Sequence, residues 1–344
     1  MKFIKRKIEL GIDMGTDTIL IYEKGKGIIL KESSVIAINV LTNKVLAFGE
    51  EAKKMLGKTS KYIKIIKPIT NGVISDYDCA EKLLNELLKG IILGRKLVIK
   101  NVVMSIPSNA TELEKMAMIE VAKVSGAKNI LLVEKTLAAA IGCGINISEC
   151  KGSMIIDIGA GMTEIAIISL GGSVIKTNIK YSGEIIDREI IKYIKDKYEV
   201  IISLAQADEL KRKIGSVGKE SKEMKETITV MCLKKLLPIK IEIKSSDIRE
   251  IIEKNIFSII DEIRNIVSNI TPELRRDILE NGITITGGGA LIAGIGDFIQ
   301  EEIGIKIYIP DNSLESVCEG TGKILSMLDK IDIDKDINEI SVLI

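Results

Sequence analysis

The sequence contains no histidine. That absence removes imidazole acid–base chemistry, histidine metal sites and the Ser-His-Asp triad together. Any catalysis must run on carboxylates, lysine, threonine, backbone amides or a bound metal ion. Tryptophan is absent as well, and aromatic residues make up 3% of the chain. Stacking platforms for single-stranded nucleic acid are therefore not expected, and the core must be aliphatic. No sign of charge dominates: 49 Lys and Arg stand against 48 Asp and Glu. Such a balance gives no global attraction to nucleic acid, so no nucleic-acid partner is expected. No apolar run approaches the roughly 18 residues of a spanning helix. The segment from Met1 to Leu10 mixes basic and apolar residues without an apolar stretch, so no signal peptide is expected. Cys79, Cys143, Cys150, Cys232 and Cys318 are odd in number and widely spaced, with no C-x-x-C. This pattern suits reduced thiols in a cytoplasmic protein.

What is present is ample aliphatic material. Of 344 residues, 46% are hydrophobic and 28% charged, enough for a sizeable core and about two domains. The chain says a similar thing twice. Lys7–Asp13 reads as a strand ending in an acid, Met14-Gly15-Thr16-Asp17 as a tight turn, and Thr18–Tyr22 as a return strand. Ser153–Asp157, Gly159-Ala160-Gly161 and Thr163–Ser169 repeat the pattern, and Leu170–Ser173 turns into a third strand. Both are hairpins bounded by breakers, and their repetition argues for two related domains.

Helical spacing marks Tyr77–Leu88, Thr111–Ser125, Thr136–Ile141, Asp187–Tyr198 and Ile248–Val267. Asp76 and Asp247 are placed as N-caps, and Thr111 with Glu114 has capping-box spacing. Strands Val102–Ile106 and Ile130–Val133 lie between helices, as in an α/β fold. Residues 215–244 read as part of an inserted subdomain, and the tail after Leu328 as a weak helix or frayed end.

Four segments carry candidate chemistry: Asp13-Met14-Gly15-Thr16, Asp157-Ile158-Gly159-Ala160-Gly161, Thr286-Gly287-Gly288-Gly289-Ala290, and the small-residue run Leu137–Gly142. Glycine at such turns lets amides approach a ligand closely, and successive amides form an anion nest. An Asp at the strand end beside a nest is placed to hold hydrated Mg²⁺ that shields phosphates. Two such hairpins facing each other would clamp a di- or triphosphate.

In this order and spacing, the four segments match the superfamily of actin, DnaK-type chaperones and sugar kinases. Pro68–Tyr77, Leu131-Leu132-Val133-Glu134, Ile285–Gly294 and Gly320-Thr321-Gly322 narrow the match. From about Ile8 to Leu328 the chain resembles the MreB family of bacterial actins. The resemblance implies an α/β actin-like fold, with duplicated RNase H-like domains in two lobes around a cleft holding ATP or ADP with Mg²⁺. Lobe I would span 1–150 with a small subdomain at about 30–75, lobe II 151–330 with another at about 185–250, and a tail 331–344. It places Asp13, Gly15, Thr16 and Asp17 in phosphate loop one, and Asp157, Gly159, Ala160, Gly161 and Thr163 in phosphate loop two. Asp13 and Asp157 would meet Mg²⁺ through water. Asp208 and Lys211 would contact the ribose, although the family usually has Glu where Asp208 stands, and read by themselves they are an exposed i, i+3 helix pair. Gly287, Gly288 and Gly289 would approach the adenosine.

The chain departs from the family at two catalytic positions. Lys135 stands where a Glu activates the attacking water, and Met162 where a Thr helps place it. Lysine offers only donors and a thioether at most a weak acceptor. Hydrolysis is therefore expected to be slow, with Glu134 as the alternative base. Leu97, Val98 and Ile99, in Leu93–Lys100, fall where the family carries a membrane-inserting loop, or else they begin the strand toward Val102. The resemblance further implies self-assembly into filaments, work beside other MreB paralogues, a role in cell shape or motility, and a cytoplasmic location, peripheral to the inner face of the membrane. A metabolite kinase or a chaperone-type ATPase of the same superfamily is the competing function.

Overall fold

In a computed structural model, the described residues are 6–92, 97–218, 221–234 and 237–328. In chain order they form β1 (Arg6–Met14), β2 (Thr18–Glu23), β3 (Gly27–Ser33), β4 (Ile36–Asn39), β5 (Val45–Phe48), α1 (Gly49–Lys54) and β6 (Ile63–Ile66). Next come β7 (Ile69–Thr70), β8 (Val73–Ile74), α2 (Tyr77–Ile92), β9 (Leu97–Ile106), α3 (Glu112–Lys123), β10 (Asn129–Glu134) and α4 (Lys135–Gly142). The second half begins with β11 (Ser153–Ile158), β12 (Thr163–Ser169), β13 (Gly172–Ile179), α5 (Gly183–Tyr198), β14 (Val200–Ile201) and α6 (Leu204–Ile214). It closes with β15 (Lys225–Cys232), β16 (Pro238–Lys244), α7 (Ser245–Asn269), α8 (Pro272–Asn281), β17 (Ile283–Thr286), α9 (Ile295–Ile303), β18 (Ile307–Tyr308) and α10 (Ser316–Met327).

Two compact units form. The first holds the described chain up to Cys150, Glu164–Asn178 and the described residues from Glu315; the second holds Lys151–Thr163 and Ile179–Leu314.

The first unit is built on a five-stranded sheet in the order β10-β9-β1-β2-β3. β2 runs antiparallel to both β1 and β3, while β9 is parallel to both β1 and β10. Helices α2 and α3 bury Leu83, Leu84, Leu87 and Met118 against Leu10, Ile12, Ile19, Ile21 and Met104. The Thr111–Glu114 capping box forms as the sequence predicts, and the Asp76 carboxylate accepts from the Cys79 amide. Helices α4 and α10 approach so closely that a Cβ on Gly142 would lie 1.7 Å from the Ser316 carbonyl oxygen. Only glycine permits that approach, which seats α4, and Lys135 at its start, firmly on α10. A small antiparallel sheet, β5-β4-β6, is inserted after β3 and carries α1.

Strand β9 starts earlier than its apolar core suggests, because β1 offers a parallel partner from Arg6 onward. Leu97, Val98 and Ile99 pair with Arg6, Lys7 and Ile8. Ile99 is 2% exposed and Leu97 packs against the same core. These residues therefore build the strand, and membrane insertion through Ile99 would require breaking the core. Residues 93–96 and the tail 331–344 lie outside the described residues, as do residues 1–5.

In the second unit β11 is parallel to β17, and β17 to β18, with Asp157 opposite Thr286. Helix α7 places Ile248, Ile252, Ile256, Ile259, Ile260 and Ile263 on one buried stripe, the aliphatic core that the lack of aromatics requires. It begins three residues before the expected start. Asp247 is thus not the N-cap; from within the first turn it accepts from the Lys244 amide at 2.9 Å. There its negative charge still faces the positive helix end. Helix α5 likewise begins at Gly183 rather than Asp187. The antiparallel sheet β14-β15-β16 forms within residues 200–244.

Candidate functional site

Loop one is the turn between β1 and β2. Its backbone closes through the Gly15 amide donating to the Thr18 carbonyl at 3.0 Å. Asp13, at the strand end, is 7% exposed and accepts from Ser105 Oγ on β9 at 2.6 Å. Burial and the adjacent Asp13 charge push the Cys318 thiol of α10 up, which keeps it protonated. The turn is held from the far side by the segment inserted after β3. Ser34 Oγ donates to the Gly15 carbonyl at 2.5 Å, and the Ser34 amide to the Asp17 carbonyl at 2.9 Å. The Gly72 amide donates to Thr16 Oγ1 at 2.9 Å. A hydroxyl that accepts in this way still has its own proton to donate. Lys53 Nζ of α1 stands 3.3 Å from Asp17 Oδ1.

The start of α4 lies in the same unit. Glu134 has both oxygens engaged from β13: Ser173 Oγ donates to Oε2 and Lys176 Nζ to Oε1, each at 2.7 Å. Lys135 opens the helix. Thr136 is fully buried, its hydroxyl 2.9 Å from Ser108 Oγ, and the Ser108 amide donates to Glu164 Oε1 at 2.8 Å.

Loop two belongs to the second unit. Asp157, the second-last residue of β11, is 2% exposed. The Gly159 amide donates to the Met162 carbonyl at 2.9 Å. The Gly183 and Glu184 amides, opening α5, donate to the carbonyls of Gly159 and Ala160 at 3.2 and 3.0 Å. The N-terminus of α5, where backbone donors and positive potential concentrate, is thereby fixed against the loop. Thr163 Oγ1 is buried with no hydrogen-bond partner.

Two further pieces complete this half. Lys211 on α6 donates to the Gly183 carbonyl at 3.0 Å and to Asp187 Oδ1 at 2.7 Å, and pairs with Asp208 at 3.2 Å. The Asp208–Lys211 pair is thus mostly shielded rather than an exposed surface pair. Burial pushes the Asp187 carboxyl up to about 6, against the opposing pull of Lys211. Gly287 adopts φ 83°, ψ 174°, and a Cβ there would lie 2.5 Å from the Ile158 carbonyl oxygen and 2.6 Å from Asp157 Oδ1. Gly288 and Gly289 lie in the 3₁₀ turn that follows.

The structure therefore gathers Asp13, Gly15, Thr16 and Asp17 in the first unit. In the second it gathers Asp157, Gly159, Ala160, Gly161 and Thr163 with Lys211 and Gly287. Sequence reading missed Ser34, Lys53, Gly72, Ser105, Gly183 and Asp187. Among the described residues no group of three or more His, Cys, Asp or Glu could cage a metal ion. Isolated strand-end carboxylates suit an ion that keeps most of its waters and is shared with phosphate, which is magnesium's habit.

A family profile described as MreB/Mbl protein matches residues 7–333. The chain belongs to the MreB/Mbl family. It is 35% identical to the cell shape-determining protein Mbl of Bacillus subtilis (strain 168), covering 94% of this chain and 97% of that one. It is 37% identical to the cell shape-determining protein MreB of Escherichia coli (strain K12), over 93% and 94%. Among solved structures it resembles MreB5 of Spiroplasma citri bound to ADP, with a TM-score of 0.89, 35% identity and coverage of 95% and 98%. A MamK double helical filament, at 21% identity and TM-score 0.79, shares the fold. The α/β actin-like fold and the MreB family, both read from sequence, are borne out. Among the described residues, no helix is long and apolar enough to cross a membrane.

Proposed function

We propose that this chain is an adenine-nucleotide-binding filament protein of the MreB cytoskeleton, acting in cell shape or motility, with intrinsically slow ATP hydrolysis. The observation that carries the reading is the construction of loop two. A buried Asp157, an unpartnered buried Thr163 hydroxyl and a Gly287 backbone that excludes any side chain leave polar groups fit for phosphate and a hydrated cation. The nucleotide reading is supported by the MreB5 structures bound to ADP and to AMPPNP, the latter at TM-score 0.88. Self-association is supported by membership of a family whose fold also builds the MamK filament.

Asp13 and Asp157 are the residues that would hold Mg²⁺, through water, where the ion would offset phosphate charge. Hydrolysis needs an acceptor for the proton of the attacking water, a contribution of roughly 10²–10⁴ in rate. Lys135 offers three donors and no acceptor, and Met162 a weak one. Glu134, the remaining carboxylate, is already bound by Ser173 and Lys176. Binding without fast turnover favours a long-lived triphosphate state, suited to a copy that assembles beside catalytically active paralogues.

The test compares wild type with a Lys135→Glu/Met162→Thr pair in phosphate release, and inspects both by electron microscopy with ATP. Filaments from wild type, and release at least tenfold faster from the pair, are the expected results. Wild-type release as fast as the pair's would end the slow-hydrolysis reading, and no filaments under any nucleotide would end the assembly reading.

A further inference from the structure

Loop one has an unusual charge for a phosphate-contacting turn. Its last residue, Asp17, is a carboxylate directly after Thr16, and a polyphosphate arriving at this loop would meet like charge. Repulsion between like charges several ångströms apart at a partly shielded site is not screened away as it would be in open water. A loop that binds phosphate must offset it.

The structure holds the offset. Lys53, in the last turn of α1, reaches Asp17 Oδ1 at 3.3 Å and Oδ2 at 3.5 Å. The pair is not an open surface pair: the side chains are 22% and 18% exposed. Three hydrogen bonds hold the turn that carries Asp17, namely Ser34 Oγ to the Gly15 carbonyl, the Ser34 amide to the Asp17 carbonyl and the Gly72 amide to Thr16 Oγ1. The lysine therefore comes from the same inserted segment that grips the turn by its backbone.

We propose that Lys53 is a positioning residue for nucleotide phosphate at loop one: its ammonium neutralises the Asp17 carboxylate and so makes the turn receptive to phosphate. The inference rests on the nucleotide reading above. It predicts a charge-dependent effect. Removing the lysine takes away one cation that offsets Asp17, so the penalty grows from a diphosphate to a triphosphate. Removing both charges restores the wild-type charge balance of the loop. A lysine that only supported the fold would weaken both nucleotides alike, and deleting Asp17 would not mend it.

The experiment is calorimetric titration of ADP and of AMPPNP, each with MgCl₂, into wild type, Lys53→Met, Lys53→Arg, Asp17→Asn and Lys53→Met/Asp17→Asn, with thermal melts of each. Lys53→Met should bind ADP roughly 10-fold and AMPPNP roughly 30-fold more weakly. Asp17→Asn in that background should recover most of the loss, and Lys53→Arg should stay near wild type. Wild type binding while Lys53→Met binds equally well, or a loss that is equal for both nucleotides and not recovered by Asp17→Asn, overturns the role of Lys53 alone. Wild type binding neither nucleotide overturns the nucleotide reading, and this inference falls with it.

Discussion

Loop one and loop two begin alike, as a strand with a buried aspartate second from its end and a glycine turn, yet they are held by different forces. Loop one is gripped mainly through side chains and an ion pair, the Ser34 and Thr16 hydroxyls and the Lys53–Asp17 contact, with one backbone bond from the Ser34 amide. Loop two is gripped by backbone amides of α5 and by close packing against Gly287. A support made of side-chain hydrogen bonds can lose one member and keep the rest. A support made of backbone contact at van der Waals distance has nowhere to yield, because interiors are packed at crystal-like density. The second loop should therefore be the brittle one and the first the tunable one.

The sharpest way to break that comparison is Gly287→Ala. Its φ of 83° with ψ of 174° belongs to a region open almost only to glycine, and the new methyl would overlap the Ile158 carbonyl and the Asp157 carboxylate. Strain and overlap together should cost about 3 kcal/mol or more, lowering the melting temperature by roughly 6 °C or more and abolishing nucleotide binding. A variant that melts and binds like wild type would show that loop two is soft.

Next in size is a pH effect at Asp187, the residue that anchors Lys211 beside loop two. Its carboxyl sits at about 6 in the folded protein against an ordinary 3.8, because burial disfavours the charge more than Lys211 favours it. Between those values the folded state binds a proton that the unfolded chain has released, so this residue adds stability as pH falls from 6 toward 4. Above pH 6 it costs stability, by up to roughly 3 kcal/mol. Denaturant unfolding at pH 4.5 and pH 7.5 should show wild type losing ground against Asp187→Asn at the higher pH. A difference between the two proteins that does not change with pH would remove the titration argument.

These contrasts also mark what one sequence can reveal. The two hairpins, the Thr111 capping box and the isoleucine stripe of α7 depend on neighbours within a few residues, and their spacing announced them. The four glycine-bearing segments were legible for the same reason, and their order sufficed to suggest the family. Lys211 and Asp187 stand 24 positions apart, and Lys53 and Asp17 stand 36 apart. No periodicity links such pairs; only the folded backbone brings them together. Leu97 and Ile99 show a case the sequence left open between a membrane loop and a strand. Aliphatics flanked by basic residues suit either, and what decides for the strand is a parallel partner far earlier in the chain.

The finest test of the comparison lies in loop one. Ser34→Ala removes the hydroxyl bonded to the Gly15 carbonyl and leaves the Ser34 amide bond to Asp17 in place. One lost buried hydrogen bond should cost about 1 kcal/mol. If the loop is held by a set of side chains acting together, the cost should depend on whether Lys53 is present. Combined with Lys53→Met, the Ser34→Ala loss should depart from additivity by about 0.5 kcal/mol or more, since both act on one four-residue turn. Combined with Asp187→Asn, which shares no partner with Ser34, it should add within about 0.5 kcal/mol. Denaturant melts of the six proteins measure both cycles. Additivity in the first cycle would mean that the hydrogen bonds and the ion pair support loop one independently, and that its tunability comes from many separate small contacts rather than from one coupled clamp.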